Sequence, residues 1–159
     1  NILKQPELDL CQKLLGIYGS QLQVRKRKEN ISLSCLIPSI KPPTVLIVED
    51  YEDARLLYRR YLQGANYVLR FAASGEELWE ELAKERPAVI LLDVLMPRED
   101  GWMILQRLKI LPETAEIPVI ICSVLDQPSL AFALGAQEVL HKPIEEKELR
   151  EAIRKALNQ

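Results

Sequence analysis

The sequence predicts an α/β protein: a doubly wound, five-stranded parallel sheet with a helix and a β-hairpin ahead of it. Three observations carry that reading. Val45-Leu46-Ile47-Val48, Val89-Ile90-Leu91-Leu92 and Val119-Ile120-Ile121-Cys122 are unbroken apolar runs, the pattern of strands buried on both faces. Helix-length segments alternate with these runs, as parallel strands require, and right-handed crossovers put the helices on both faces of the sheet. Each run ends in residues that carry chemistry, namely Glu49-Asp50, Asp93 and Ser123. Open α/β sheets work at the carboxyl ends of their strands.

The chain divides into an appendage at 1–37, a linker at 38–43 and the α/β domain at 44–159. In the appendage, Leu8 to Tyr18 reads as a helix with Leu8, Cys11, Leu15 and Tyr18 on one stripe. Gln21–Lys26 and Ile31–Ile37 read as the two arms of a hairpin. A helix and two strands bury too little to stand alone. They must dock on the domain, pair with a second copy as a homodimer, or belong to a larger unit. Pro38-Ser39-Ile40-Lys41-Pro42-Pro43 is stiff and extended, as a linker should be.

Strand one follows at 44–48. Helix one spans 51–63 with Ala54, Leu57, Tyr58 and Tyr61 on its core stripe, and Gly64-Ala65-Asn66 ends it. Strand two is 67–71. Ser74-Gly75-Glu76-Glu77 has the capping-box pattern, a hydroxyl followed three residues later by a carboxylate. Helix two then runs to Glu85, where Arg86-Pro87 stops it. Strand three ends at Asp93. Helix three spans 100–110, and Pro118 opens strand four. Helix four is short, held between Pro128 and Gly135. Strand five is 137–141, and helix five, 144–157, buries Leu149, Ala152, Ile153 and Ala156.

The formal charge of −2 conceals an asymmetry: residues 1–43 carry +4 and residues 44–159 carry −6. A domain that acidic is no general binder of nucleic acid, which demands clustered positive charge. Arg25-Lys26-Arg27-Lys28 is basic, but at a hairpin tip such a run reads as a solvated turn. No stretch approaches the roughly 20 apolar residues of a membrane span. Cys11, Cys35 and Cys122 are odd in number and match no metal or redox spacing, so a reducing cytoplasm is the expected compartment. Asn1 rather than Met opens the chain, so a longer parent is expected, with no effector domain expected after Gln159.

Three carboxylates gathered on one rim repel one another, and without a cation their proton affinity rises. Mg²⁺ suits them, since it takes a few carboxylates, several waters and a phosphate. The expected ligands are Asp50 and Asp93, with Glu49 directly or through water and the backbone carbonyl of Leu95. Asp93 is the expected nucleophile, because carboxylates form acyl phosphates. The Lys142 ammonium would neutralise one phosphoryl oxygen and the Ser123 hydroxyl would donate to another, which is most of what phosphoryl transfer asks of a protein. Pro143 limits Lys142 to extended conformations and admits a cis bond. His141, the sole histidine, reads as a strand-end residue.

The pieces Val48-Glu49-Asp50, Leu92-Asp93-Val94-Leu95-Met96-Pro97 with Gly101 beyond, Pro118 to Ser123, and Gly135-Ala136 leading to Lys142-Pro143 together resemble the response-regulator receiver domain, over roughly residues 44–159. The resemblance implies a flavodoxin-like sheet of strand order 2-1-3-4-5. It also implies Mg²⁺-dependent transfer to Asp93 from a phosphohistidine on a sensor histidine kinase or phosphotransfer protein. Such a module catalyses only its own phosphorylation and dephosphorylation, so it is no enzyme in the ordinary sense.

The chain departs from the family in three places. Val139 stands where the family usually carries a switching aromatic residue, and Ser123 where threonine is usual. The stretch from Ser123 to Gly135 is about one helical turn short. These changes predict a smaller or differently routed response to phosphorylation. Leu95 and Leu125, each two residues past Asp93 and Ser123, cannot orient an attacking water, which predicts a long-lived acyl phosphate.

Leu10 to Leu15, Tyr18 to Val24 and Ile31 to Pro38 resemble the C-terminal end of a histidine-kinase ATPase domain. Glu7-Leu8-Asp9 replaces the glycines expected there, so no ATP binding is expected, and the implied parent is a hybrid or degenerate kinase. Two competing functions remain. A haloacid-dehalogenase-type phosphatase wants a second acid two residues after the nucleophile, where Leu95 stands. A pseudo-receiver that only binds proteins would not need the intact acids and lysine.

Overall fold

The computed structural model describes residues 9–13, 15, 21–27, 30–36, 41–97 and 99–157. The chain forms two compact units, Asn1–Lys41 and Pro42–Gln159. In the first, residues 9–13 and Leu15 are helical. β1 (Gln21–Arg27) pairs antiparallel with β2 (Asn30–Leu36), in register from Gln21 with Leu36 to Arg27 with Asn30. β1 runs one residue past the expected first arm and β2 begins one residue before the expected second, whose end at Ile37 lies outside the described residues. The expected ends of the leading helix, the hairpin turn at 28–29 and linker residues 38–40 lie outside the described residues.

The second unit begins with β3 (Thr44–Val48), followed by α1 (Glu52–Tyr61), β4 (Val68–Ala72), α2 (Gly75–Lys84) and β5 (Val89–Leu92). A miniature antiparallel pair, β6 (Leu95–Met96) with β7 (Glu99–Asp100), precedes α3 (Gly101–Ile110). Then come β8 (Val119–Ser123), α4 (Pro128–Ala133), β9 (Glu138–His141) and α5 (Glu146–Leu157). The five-stranded sheet has the order β4-β3-β5-β8-β9, and every neighbouring pair is parallel. Counted within this unit, the order is 2-1-3-4-5, the flavodoxin-like arrangement.

Alternation along the strands sorts the core into two halves. Leu46, Val48, Ile90, Leu92, Val119 and Ile121 face α2, α3 and α4, packing on Leu78, Leu105, Leu108 and Ala131. Val45, Ile47, Val89, Leu91, Ile120 and Cys122 face α1 and α5, packing on Tyr58, Leu149, Ala152, Ile153 and Ala156. The central strands are buried along their whole length. The uninterrupted apolar runs follow from that double coverage.

Local chemistry sets the boundaries. Ser74 caps α2 by accepting from the Glu77 N–H at 3.2 Å. Glu77 returns a bond, but to the Ala73 N–H at 2.7 Å rather than to Ser74 itself. Asp100 caps α3 through the Trp102 N–H at 2.9 Å. Gly64, at φ 77°, carries the chain out of α1 in a conformation other residues resist. Two expectations need correction. Leu57, expected on the core stripe of α1, is 41% exposed; it lines a cavity beside the acidic residues instead. Between Asp93 and α3, where no strand is expected, Leu95–Met96 and Glu99–Asp100 form the β6–β7 pair.

Candidate functional site

Glu49, Asp93 and Lys142 each continue the alternation of the strand face that packs on α1 and α5. The Val48–Leu92 register sets Glu49 beside Asp93, and the Asp93 N–H donates to the Val48 carbonyl at 3.0 Å. From the far edge, the Lys142 N–H donates to the Ser123 carbonyl at 2.9 Å, which anchors the end of β9. The Lys142–Pro143 bond is cis. The Lys142 Nζ then donates to Asp93 Oδ2 at 2.6 Å and to Glu49 Oε2 at 2.7 Å. One ammonium therefore links two carboxylates from different strands.

Each carboxylate is further fixed by a neighbouring backbone donor. Asp93 Oδ1 accepts from the Leu95 N–H at 2.8 Å, and Glu49 Oε1 accepts from the Tyr51 N–H at 3.3 Å. Glu49 is only 2% exposed and Asp93 5%. Burial pushes the Glu49 carboxyl above its usual range, and the Asp93 charge adds to that, while Lys142 and the Tyr51 N–H offset part of it. Burial pulls the Lys142 ammonium down, but its hydrogen bonds to Asp93 and Glu49 outweigh that and hold it above its ordinary value. Ligand oxygens from Glu49, Asp50 and Asp93 lie within 4.8 Å of one another. A divalent cation would offset the burial cost that Glu49 carries, so the donor set fits Mg²⁺.

The acids and Lys142 open on a cavity of about 450 Å³, walled by Tyr51, Leu57, Tyr58, Tyr61, Leu95 and Ile144. The structure thus brings Glu49, Asp50, Asp93, Leu95 and Lys142 around one space. Ser123 is placed differently. It continues the alternation of the opposite strand face, is 1% exposed, and its Oγ accepts from the Leu125 N–H at 3.0 Å. Its hydroxyl proton remains to be donated. Val139 pairs with Ile121 and packs, half-buried, on the α2–α4 face.

Sequence reasoning missed two parts of the site. One is the tyrosine wall, because Tyr58 and Tyr61 read simply as core residues. The other is Arg55, whose Nη1 donates to the carbonyls of Glu49 and Asp50, each at 2.7 Å. The close approach at Gly101 was also hidden. A Cβ there would overlap the Val94 Cα and crowd the Asp93 carbonyl.

The pattern of the response regulator receiver domain family matches residues 45–154. The chain belongs to that family. It is similar to sporulation initiation phosphotransferase F of Bacillus subtilis (strain 168), with 32% identity over 114 residues, covering 71% of this chain and 92% of that protein. It is also similar to the response regulator MprA of Mycolicibacterium vanbaalenii, with 31% identity over 73% of this chain but only 51% of that protein. The chain thus spans about half the length of several curated relatives it matches. Among solved structures, the signal receiver domain of a signal transduction histidine kinase from Syntrophus aciditrophicus superposes with a TM-score of 0.66 at 30% identity, covering 72% of this chain and 89% of that one. The chemotaxis protein CheY4 of Vibrio cholerae gives 0.67 at 27% identity, covering 72% and 98%. Residues 1–44 lie outside the family match.

Proposed function

We propose that this receiver accepts a phosphoryl group on Asp93 from a phosphohistidine donor, with Mg²⁺ held by Glu49, Asp50, Asp93 and the Leu95 carbonyl. The observation that carries the reading is the position of Lys142, whose ammonium reaches both Asp93 and Glu49 at the mouth of the acidic cluster. In the transfer, an Asp93 oxygen bonds to phosphorus as the phosphorus–nitrogen bond of the donor breaks, and the imidazole keeps the electron pair. Lys142 follows the charge onto a phosphoryl oxygen, and Ser123 donates to another. Mg²⁺, when bound, supplies the positive charge that lets three carboxylates and a phosphoryl group share the rim.

The donor would be a sensor histidine kinase or a phosphotransfer protein. The receiver from Syntrophus aciditrophicus is the signal receiver domain of a signal transduction histidine kinase, and the kinase-like sequence of residues 1–37 supports a hybrid or degenerate kinase as parent here. Among the described residues no helix is long and apolar enough to cross a membrane, which accords with a cytoplasmic module. Leu95 is 48% exposed at the rim and offers no polar group to an attacking water, so the acyl phosphate should persist.

The test is incubation with acetyl phosphate and Mg²⁺ followed by intact-mass measurement. Wild type should gain one phosphoryl group and Asp93→Asn none. A wild-type protein that takes up no phosphoryl group under these conditions overturns the reading.

A further inference from the structure

We infer that Arg55 is a positioning residue for the acidic pair, acting through the backbone rather than through either carboxylate. The inference rests on the Mg²⁺ site proposed above and adds a residue to it. Arg55 stands in the first turn of α1, half-buried, and one nitrogen of its guanidinium carries two hydrogens. Both are spent on the acidic loop, one on the Glu49 carbonyl and one on the Asp50 carbonyl, each at 2.7 Å.

The loop's other restraints bear on Glu49 and Tyr51: the Glu49 carboxylate accepts from the Tyr51 N–H and from Lys142, and the Tyr51 carbonyl accepts from the Arg55 N–H. Glu49 is tied to the sheet by its N–H on the Ala72 carbonyl at 3.0 Å. Beyond it the chain must turn from β3 into α1, and the N-cap residue Tyr51 makes no side-chain capping bond. The Arg55 clamp therefore fixes the two peptide planes that set where the Glu49 and Asp50 side chains leave the backbone.

Two effects of opposite sign follow from removing Arg55, and they separate a positioning role from a purely electrostatic one. Loss of a positive charge near the acids would by itself favour a cation. At a partly solvated position that gain is small, since a high effective dielectric weakens it. Loss of the clamp frees the ligand-bearing loop, and Mg²⁺ demands near-ideal octahedral geometry. Residues that orient metal ligands typically cost 10- to 100-fold in affinity when removed. Positioning should win, and the net change should be weaker Mg²⁺ binding.

The experiment is Mg²⁺ titration by calorimetry on the full chain, with thermal unfolding in EDTA measured alongside. Arg55→Met keeps the aliphatic stem and removes both donors; Arg55→Lys keeps a charge and donors. Arg55→Met should bind Mg²⁺ about 10- to 100-fold more weakly, Arg55→Lys should recover part of the loss, and the unfolding midpoints in EDTA should stay close to wild type. Unchanged or tighter binding in Arg55→Met overturns the inference. So does a loss of affinity that Arg55→Lys does not recover at all, or one matched by an equal collapse of the metal-free fold. Wild type that binds no Mg²⁺ would instead overturn the site itself.

Discussion

The two faces of the sheet end in different ways at the same rim. On the α1–α5 side, the strands run out into Glu49, Asp93 and Lys142, which hold one another by short charged hydrogen bonds. On the α2–α4 side, they run out into Ser123, whose hydroxyl is turned to a nearby backbone N–H, above the apolar Val139. The first face carries charge that must be neutralised. The second ends in the small Ser123 hydroxyl, with the aliphatic Val139 and Leu125 among the residues packed on that face. On the proposed reading, the charged part of the phosphoryl site is built into one face, and the other face adds to it only the Ser123 hydroxyl.

The strongest way to break that contrast is Lys142→Met. It leaves Glu49 and Asp93 buried without their shared cation, and stranding one side of a buried pair typically costs about 3 kcal/mol or more. Lys142 is itself 21% exposed, so the lower end is expected. The pH dependence has a definite sign. Lys142 has a raised folded pKa, so its contribution is present below the ordinary lysine range and is lost as pH rises through the folded value. Glu49 is also raised, so its burial costs stability as pH climbs above the ordinary carboxylate range. The penalty of Lys142→Met should therefore be largest near neutrality and shrink on acidification. Denaturant unfolding at several pH values without metal checks this. A penalty that grows on acidification would contradict it.

The next effect is kinetic. Leu95→Asn places a group able to orient water beside the acyl phosphate. Positioned proton-handling groups are worth orders of magnitude in rate; a side chain at a half-exposed rim should give about tenfold, close to 1.4 kcal/mol in barrier. Following dephosphorylation by intact mass in wild type and variant tests it. A wild-type half-life of seconds, or a variant no faster than wild type, would remove the idea that Leu95 protects the phosphoryl group.

Much of this was legible in the residues, and the reasons for the gaps are physical. Strands β3, β5 and β8 are buried on both sides, so their sequences carry no polar interruption until the chain reaches the rim. Asp93 could be seen because an apolar run stopped at it. Lys142 could be placed because it stood beside Pro143 at the end of a shorter strand. Arg55 could not be seen by that logic, since it acts on carbonyls, and backbone acceptors leave no trace in residue identity. Leu57 was misplaced because periodicity records which residues share a stripe and not whether the stripe meets core or cavity. The β6–β7 pair was missed because two-residue strands are too short to show alternation. Its anchor, a hydrogen bond from the Gly75 N–H to Glu99, links residues far apart in sequence.

Cys122 sharpens the comparison from within the α1–α5 face. It is fully buried, and that burial raises its thiol to about 12, with Asp93, Glu49, Tyr58 and Lys142 making smaller adjustments of mixed sign. Its stability contribution is therefore intact below the ordinary thiol range and is lost as pH rises toward that raised value. Iodoacetamide at mildly alkaline pH should label Cys11, which is half-buried, and leave Cys122 unmodified in the native state. Peptide mapping reads this directly. Rapid labelling of Cys122 would mean that the face under the acids opens far more readily than its packing implies.

The smallest effect concerns the other face. Val139 is half-buried and aliphatic, and the adjoining helix α4 has six residues. A phosphoryl group moves a conformational equilibrium only through contacts that differ between the two states. Ser123 can offer such a contact by turning its hydroxyl from the Leu125 N–H toward the phosphoryl group. With valine behind it, the space it leaves has no aromatic ring to fill it. Amide spectra of the protein with and without beryllofluoride and Mg²⁺ should therefore differ mainly around Asp93, Leu95, Ser123 and Leu125, with little change across α4 and β9. Val139→Tyr should extend those differences into β9 while leaving phosphorylation of Asp93 within a few-fold of wild type. Wide differences across α4 and β9 in the wild type would show that this face transmits the signal without an aromatic residue at position 139, and the contrast between the two faces would then fail.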